Sequence, residues 1–174
     1  RIQANLEDRC YYCKTHVFTT IMQIASADGY HVLYDGTNAS DQAHERPGMR
    51  ALRELEVRSP LQLAGLTKED IRRLSQAAGI FTWNKPSYSC LATRVPTGTP
   101  LSQDVLDVIE AAEGILFDLG FVDFRCRYLK NKSTKIELSE TDFSLLCKKR
   151  KQVLQELAPY FNHIMVDLKT RVYE

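Results

Sequence analysis

The apolar positions in the first half of the chain follow mainly a helical period, interrupted by one short apolar run. Residues 17–25 carry apolar side chains three or four positions apart, which predicts a helix that Gly29 ends. The run His31–Tyr34 predicts a short strand. Further helices are expected over Pro47–Leu55, with the proline in its first turn, and over Thr67–Gly79, with Thr67 as its cap. This alternation of helix and strand indicates an α/β layer.

The second half predicts a different order of elements. Ser102–Leu119 has the pattern of a capped helix, and residues 122–128 alternate apolar and polar side chains as a half-buried strand does. A short strand over Lys135–Leu138, a helix over Ser139–Leu157 and a strand over Ile164–Leu168 follow. The order α-β-β-α-β predicts a small α+β domain.

A long irregular segment joins the two halves. Residues 80–100 show neither period and exceed the roughly 12–15 residues usual for a structureless loop in a compact domain. The segment contains Trp83, Lys85, Cys90 and Arg94, so a functional loop that merges into a linker is expected. We place one domain at residues 1–98 and a second at residues 99–174.

Composition and charge exclude several classes of protein. Hydrophobic residues at 44% and charged residues at 26% are ordinary for a globular chain of 174 residues, which can bury about 70% of its unfolded surface. A net charge of +1 gives no reason to expect binding to bulk nucleic acid or to a membrane surface. The sequence contains neither a signal-peptide pattern nor an apolar run near the roughly 20 residues of a membrane helix. A cytoplasmic location is expected.

The five cysteines divide into two groups. Cys126 falls on the apolar face of its predicted strand and Cys147 on the apolar stripe of its predicted helix, so both are expected in the core. The periodicity does not predict a core position for Cys10, Cys13 or Cys90.

Cys10 and Cys13 form a CxxC motif at a predicted helix start, where the helix dipole favours a thiolate. Three interpretations are open. A thioredoxin-like redox pair would need an upstream βαβ context, and a structural zinc site would need two more ligands. An iron–sulfur cluster would be held by Cys10, Cys13 and Cys90. A surface pair without a function is the plain alternative.

Cys90 lies in the irregular segment, between the cationic residues Lys85 and Arg94. Cationic neighbours favour the thiolate, which is the form that attacks electrophiles and binds metals. A buried loop cysteine is an equally simple interpretation of its position.

The loop Asp35–Asp41 follows the predicted strand directly. Ligands of open α/β sheets bind at the carboxyl ends of strands, and Gly36 allows a close approach of the backbone. An ordinary turn rich in Gly, Asn and Asp has the same composition.

Arg125 and Arg127 are two positions apart on a predicted strand and therefore point to the same face. Two guanidinium groups at this spacing could hold a phosphate or a carboxylate, although arginines also solvate the outer face of many strands. Arg46, Arg58 and Arg94, each near a proline, are weaker candidates of the same kind.

Three segments together resemble the LarE family of sulfur transferases, which are PP-loop ATP pyrophosphatase relatives. They are Cys10-Tyr-Tyr-Cys-Lys-Thr-His, Asp35-Gly-Thr-Asn-Ala-Ser-Asp with Arg46-Pro-Gly, and Trp83-Asn-Lys-Pro-Ser-Tyr-Ser-Cys-Leu-Ala-Thr-Arg94. The resemblance extends in order over nearly the whole chain. It implies the C-terminal part of a Rossmann-type PP-loop domain (adenine nucleotide α-hydrolase-like), followed by a small α+β domain.

The resemblance also implies a reaction. ATP with Mg²⁺ adenylates a carboxylate of a pyridinium dicarboxylate mononucleotide, and sulfur then displaces AMP to give a thiocarboxylate of the nickel-pincer nucleotide pathway. In one form of the family the cysteine at the position of Cys90 gives up its own sulfur and becomes dehydroalanine. In another, three cysteines bind a [4Fe–4S] cluster that carries the sulfur. Because Cys10 and Cys13 accompany Cys90 here, the chain resembles the cluster form.

Further roles follow from the same resemblance. Lys85, Arg94, Arg125 and Arg127 would contact the small-molecule nucleotide substrate, and a homo-oligomer is implied. The Ser-Gly-Gly-x-Asp-Ser phosphate loop of the PP-loop group is absent from the sequence and is expected N-terminal to Arg1. The expected nucleotide-binding residues are Asp35, Gly36, Thr37, Asn38, Asp41 and Arg46.

Two alternatives compete with this assignment. Another PP-loop enzyme, acting in tRNA thiolation or amide synthesis, would use the same adenylation chemistry, but a nucleic-acid substrate favours a basic patch that the net charge of +1 does not supply. A non-catalytic domain stabilised by a metal would need the cysteines only as structural ligands.

Overall fold

The computed structural model describes residues 1–41 and 46–171. Over these residues the chain forms two compact units, one made of Arg1–Ile2 with Leu6–Lys85 and the other of residues 3–5 and 86–171. The boundary predicted at residues 98 and 99 lies within the second unit.

The first unit consists mainly of helices. Helix α1 spans Arg9–Ala27, α2 Pro47–Glu54, α3 Pro60–Leu63 and α4 Lys68–Ala77. Three of them match predicted helices, whereas the four-residue α3, which starts at a proline, was not predicted. Met49, Ala51 and Leu52 of helix α2 are buried.

Helix α4 begins as its sequence predicts. The Thr67 hydroxyl accepts a hydrogen bond from the Asp70 amide at 3.2 Å, and the Asp70 carboxylate accepts one from the Thr67 amide at 3.2 Å. This reciprocal pair is a capping box, which satisfies backbone donors that the first turn of a helix leaves unpaired.

The strand predicted over His31–Tyr34 was wrong. In the described part of the chain, Tyr34 forms an isolated parallel bridge with Arg58 and no ladder extends from it. Two backbone hydrogen bonds accompany the bridge, from the Asp35 amide to the Arg58 carbonyl and from the Arg58 amide to the Leu33 carbonyl. An apolar run becomes a strand only when neighbouring residues pair in succession.

The second unit contains the predicted α-β-β-α-β order. Helix α5 spans Gln103–Asp118, β1 Phe124–Leu129, β2 Ser133–Leu138, α6 Glu140–Leu157 and β3 His163–Val166. The order in the sheet is β1-β2-β3, with β1 antiparallel to β2 and β3 parallel to β2. The α6 crossover between β2 and β3 provides the length that a parallel connection needs.

The core of the second unit lies between the sheet and helices α5 and α6. Residues from every layer have no exposed surface, among them Leu116 of α5, Cys126 of β1, Ile136 of β2 and Leu157 of α6. The alternating apolar positions of the two antiparallel strands supply one face of this core.

Asn5 ties the short segment 3–5 into the second unit. Its side chain is fully buried and its Nδ2 donates to the carbonyls of Pro96 and Thr99, each at 3.0 Å, while its own carbonyl accepts from the Gly98 amide at 2.8 Å. Its φ of 53° lies in the left-handed region, which asparagine tolerates better than most residues. Among the described residues no helix combines the length and apolarity needed to cross a membrane.

Candidate active site

Cys90 lies at the start of an ordered turn in the second unit. It precedes a 3₁₀ turn over Leu91–Arg94 and is exposed. Its carbonyl accepts two hydrogen bonds from Thr93, one from the amide at 2.9 Å and one from the hydroxyl at 2.7 Å. The backbone of Cys90 is therefore fixed while the residue stays accessible. We refer to residues 87–94 as the Cys90 turn.

A buried ion pair lies beneath this turn. The Arg94 side chain has no exposed surface and donates from Nε to Glu113 Oε1 at 2.7 Å and from Nη2 to Oε2 at 3.0 Å. Its third nitrogen, Nη1, donates to Ser89 Oγ at 2.7 Å and to Thr93 Oγ1 at 2.9 Å. Glu113 also accepts from the Cys126 amide at 2.9 Å, so the pair joins the turn to α5 and β1.

Arg125 and Arg127 project from β1 towards the Cys90 turn. Arg125 donates to the Ser87 carbonyl, and Arg127 donates to the Thr93 carbonyl at 2.7 Å. Burial lowers the pKa of Arg125, which is only 5% exposed. Arg127 is partly exposed and pairs with Glu137 at 2.9 Å. Each arginine therefore already has protein partners, and Arg127 offers the more accessible guanidinium.

Tyr88 is an exposed aromatic residue of the turn. Its ring packs against Phe117 of α5 with 5.9 Å between centroids, and the guanidinium carbons of Arg94 and Arg125 lie 5.1 and 5.7 Å from the ring centroid. The residue is partly withdrawn from water, and this desolvation is the main cause that raises the pKa of Tyr88 to about 12. A hydrogen bond to the Glu113 carboxylate and the negative charge of that group act in the same direction. The phenol is therefore neutral throughout the physiological range.

Sequence reasoning missed Glu113, and one signal could have found it. Ile109, Ala112 and Leu116 of α5 are fully buried, and Glu113 lies four residues after the first of them and three before the last. A carboxylate on the apolar stripe of a helix is seldom buried without a partner. The pattern thus indicates that a buried cation pairs with Glu113. Which residue supplies that cation depends on contacts between residues distant in sequence.

Cys10 and Cys13 lie in the first turns of α1, in the first unit. A spacing of three puts them on one side of the helix. Cys10 is exposed and Cys13 half-buried. Arg9 Nη2 donates to the Cys10 sulfur at 3.8 Å.

Helix α2 holds the CxxC segment through Tyr11, one of the two residues between the cysteines. The Tyr11 hydroxyl donates to Glu54 Oε2 at 2.6 Å, and the Arg50 guanidinium lies 3.7 Å from the centre of the Tyr11 ring. A Cβ at Gly48 would lie 3.0 Å from Lys14 Cδ, so the glycine leaves room for the Lys14 side chain between the two helices. The helix that carries Cys10 and Cys13 is thereby fixed on α2.

The loop Asp35–Asp41 is ordered by its own side chains. Asp35 accepts from the Thr37 hydroxyl at 2.5 Å and from the Ser59 hydroxyl at 2.6 Å. Asp41 accepts from the Asn38 amide at 3.1 Å and pairs with the exposed Arg46 at 3.2 Å. The Cβ position of Gly36 has open space around it. The loop therefore presents a preformed backbone with an accessible glycine.

The remaining sites predicted from the sequence lie on exposed segments of the first unit. Lys85 is exposed, and its carbonyl accepts from Arg72 Nη2 at 3.2 Å. Arg58 is exposed and takes part in the bridge to Tyr34. Within each unit, the residues that the structure describes include no group of three His, Cys, Asp or Glu side chains able to hold a metal ion. The three-cysteine cluster site stays a prediction.

The other two cysteines differ from one another. Cys126 is fully buried, as predicted, and burial raises the pKa of its thiol far above the usual range. The prediction that Cys147 belongs to the core was wrong, because the residue is exposed. Helix α6 turns Leu146 inwards, and the next residue lies about 100° further around the helix.

The chain is similar in sequence to known proteins from three organisms. The chain is 35% identical over 170 residues, 96% of its length, to the pyridinium-3,5-bisthiocarboxylic acid mononucleotide synthase of Lactiplantibacillus plantarum. It is 38% identical over 135 residues to the uncharacterized protein slr1717 of Synechocystis, and 29% identical over 170 residues to the uncharacterized protein MJ0830 of Methanocaldococcus jannaschii. The matches cover 60%, 50% and 66% of these three proteins, respectively. No family model matches the chain.

The exposure of the cysteines predicts their order of reaction with a maleimide. Cys10, Cys90 and Cys147 should react rapidly in the native protein, Cys13 more slowly, and Cys126 only after unfolding. We expect Cys126 to react more than about a hundredfold more slowly than Cys147, because its modification requires opening of the core. Pulse labelling followed by peptide mass spectrometry measures each rate. Equal native rates for Cys126 and Cys147 would contradict the burial described above.

The raised pKa of Tyr88 predicts a dependence of stability on alkaline pH. Because the folded-state pKa of about 12 exceeds the ordinary value of 10.0, the stability that the neutral phenol contributes is complete below pH 10 and is lost as the pH rises through 12. Tyr88→Phe should therefore lose less stability than the wild type between pH 8 and pH 11. Urea unfolding at both pH values measures the difference, with Tyr30→Phe, at an exposed tyrosine, as the matched control.

Proposed function

We propose that this chain is part of a LarE-family enzyme of the PP-loop superfamily that transfers sulfur, at the expense of ATP, to a pyridinium dicarboxylate mononucleotide. In the proposed reaction ATP adenylates a substrate carboxylate and releases pyrophosphate. Sulfur then attacks the acyl carbon, the bond to AMP breaks, and a thiocarboxylate forms. The product would be an intermediate in the synthesis of a nickel-pincer nucleotide cofactor.

One observation carries the proposal. The similarity to the synthase of Lactiplantibacillus plantarum extends over 96% of this chain, and so includes the Cys90 turn. That protein is named for a product with two thiocarboxylic acid groups on a pyridinium mononucleotide, and the sulfur of such groups is what the proposed reaction supplies. The chain spans only 60% of that relative, and the activity of the whole protein is therefore part of the proposal.

Cys90 is the proposed catalytic residue. It is exposed, and its backbone is held by Thr93. An accessible residue on a fixed backbone meets the requirement that a reacting sulfur be held in a defined geometry. The substrate would contact accessible cations, with Arg127, which donates to this turn, as the first candidate and Lys85 as the second. Arg94 and Arg125 are buried and would act through the turn itself.

The thiols of Cys10, Cys13 and Cys90 fit an iron–sulfur cluster by their chemistry. Thiolates are the ligands of such clusters, and each of these three cysteines is at least partly accessible. The three would hold a [4Fe–4S] cluster, which when bound would supply the transferred sulfur. Tyr11 and the α2 residues that contact it would hold the CxxC helix in place.

ATP would bind along the loop Asp35–Asp41. The open space at Gly36 suits a close approach of the nucleotide to the backbone. Because Asp35 and Asp41 already accept hydrogen bonds from the loop, the backbone is ordered before a ligand arrives. Asn38 and Arg46 are then the side chains with remaining capacity to recognise a nucleotide.

Sulfur transfer can be tested directly. The complete protein that contains this chain is incubated anaerobically with ATP, Mg²⁺ and pyridinium-3,5-dicarboxylate mononucleotide. The expected product has the mass of the substrate with oxygen replaced by sulfur, and AMP and pyrophosphate accompany it. Cys90→Ser should abolish the product, whereas Cys147→Ser, at another exposed cysteine, should leave it unchanged. Formation of a thiolated tRNA or of an amide instead would contradict the proposed substrate class.

The source of the sulfur is tested by iron binding. Anaerobic reconstitution should give about one cluster per chain, seen as a brown colour and measured as bound iron and sulfide. Substitution of Cys10, Cys13 or Cys90 by serine should remove most of the iron, and Cys147→Ser should retain it. A colourless protein whose Cys90 turns into dehydroalanine during turnover would instead establish Cys90 as the sulfur donor.

A further inference from the structure

We propose that Arg94 and Glu113 are positioning residues for Cys90, so that this buried ion pair holds the reactive turn in place. The inference rests on the proposed function, because holding this turn matters for catalysis only if Cys90 reacts. It gives Arg94 a role different from direct contact with the substrate, and it gives a role to Glu113, which the sequence did not single out.

Stability alone does not explain the pair. Removal of two charges from water carries a large desolvation penalty, and well-packed apolar side chains of similar volume often stabilise a core as well or better. Arg94 and Glu113 have side chains that are 0% and 1% exposed, so both bear this penalty. An arginine offers directed donors that an apolar residue lacks, and the use of those donors indicates its role.

The donors of Arg94 divide between two tasks. Nε and Nη2 bind both carboxylate oxygens of Glu113, which fixes the plane of the guanidinium. Nη1 then points into the turn, where it donates to Ser89 Oγ at 2.7 Å and to Thr93 Oγ1 at 2.9 Å. Ser89 immediately precedes Cys90 and Thr93 follows three residues later, so the turn is held on both sides of the cysteine.

Thr93 connects the ion pair to Cys90 itself. Its hydroxyl accepts from Arg94 Nη1 and donates to the Cys90 carbonyl at 2.7 Å. Glu113 is in turn fixed by the Cys126 amide of β1 at 2.9 Å. A continuous series of hydrogen bonds therefore runs from the sheet through Glu113, Arg94 and Thr93 to the backbone of Cys90.

The sharpest test removes only the link at Thr93. Thr93→Val keeps the shape of the side chain and loses the hydroxyl, whereas Thr93→Ser keeps the hydroxyl and is the matched control. We expect hydrogen exchange of the residue 93 amide, which donates to the Cys90 carbonyl, to accelerate about tenfold or more in Thr93→Val. Exchange of the residue 136 amide in the core strand should stay at the wild-type rate, and Thr93→Ser should resemble the wild type at both positions.

A second variant tests the ion pair. Arg94→Met combined with Glu113→Leu replaces both charges by apolar side chains and should fold, with faster exchange at residue 93 and wild-type exchange at residue 136. Wild-type exchange at residue 93 in both this variant and Thr93→Val would overturn the proposal.

Kinetics separate this inference from the proposed function. In the sulfur-transfer assay, Thr93→Val should lower kcat about tenfold with KM nearly unchanged, because the turn is displaced and substrate contacts are kept. Faster exchange at residue 93 together with a wild-type kcat would overturn the positioning role. Absence of sulfur transfer from the wild type would refute the proposed function, while the exchange rates would still report whether the pair holds the turn.

Discussion

The buried ion pair between Arg94 and Glu113 is the interaction on which the order of the Cys90 turn depends. Removal of one partner would leave a charge without a counter-ion in the core, a loss of about 3–5 kcal/mol that is comparable to much of the stability of a small domain. The pair couples an irregular segment to a helix and a strand. The Cys90 turn is consequently tied to both of these elements.

The surrounding contacts extend the same principle. Arg125 and Arg127 of β1 donate to carbonyls of the Cys90 turn, at Ser87 and Thr93. A loop normally lacks a ladder of backbone hydrogen bonds, and here arginine side chains supply partners for its carbonyls. The arginines beneath the turn thus have a structural role, and the partly exposed Arg127 also suits the phosphorylated substrate of the proposed reaction.

The sequence predicted those parts of the structure that depend on neighbouring residues. The cap at Thr67 and the helix after Ser102 rest on contacts within one turn, and both are present. The prediction of a strand at His31–Tyr34 failed because a ladder needs a partner strand, which the periodicity of one segment does not reveal. The prediction for Cys147 failed because the apolar stripe of a helix is narrow, and a shift of one residue moves a side chain from the centre of the stripe to its edge.

The candidate site shows the same division. The sequence singled out Cys90, Lys85 and Arg94 as candidates, since these residues lie within one segment. It did not predict that Arg94 would be buried, because the partner Glu113 is nineteen residues away and contributes from another element. A charged residue on the predicted apolar stripe of a helix is the sequence signal that indicates such a buried pair.

Asn5 has a consequence for the order of the chain. Since residues 3–5 belong to the second unit and residues 6–85 separate them from its remainder, most of the first unit lies between two segments of the second. Closing this long connection costs conformational entropy that rises by only about 0.6 kcal/mol for each doubling of its length. Residues added between positions 6 and 85 would therefore add little to the entropic cost of folding the second unit. An ancestral protein could have lengthened the first unit without a change in the fold of the second.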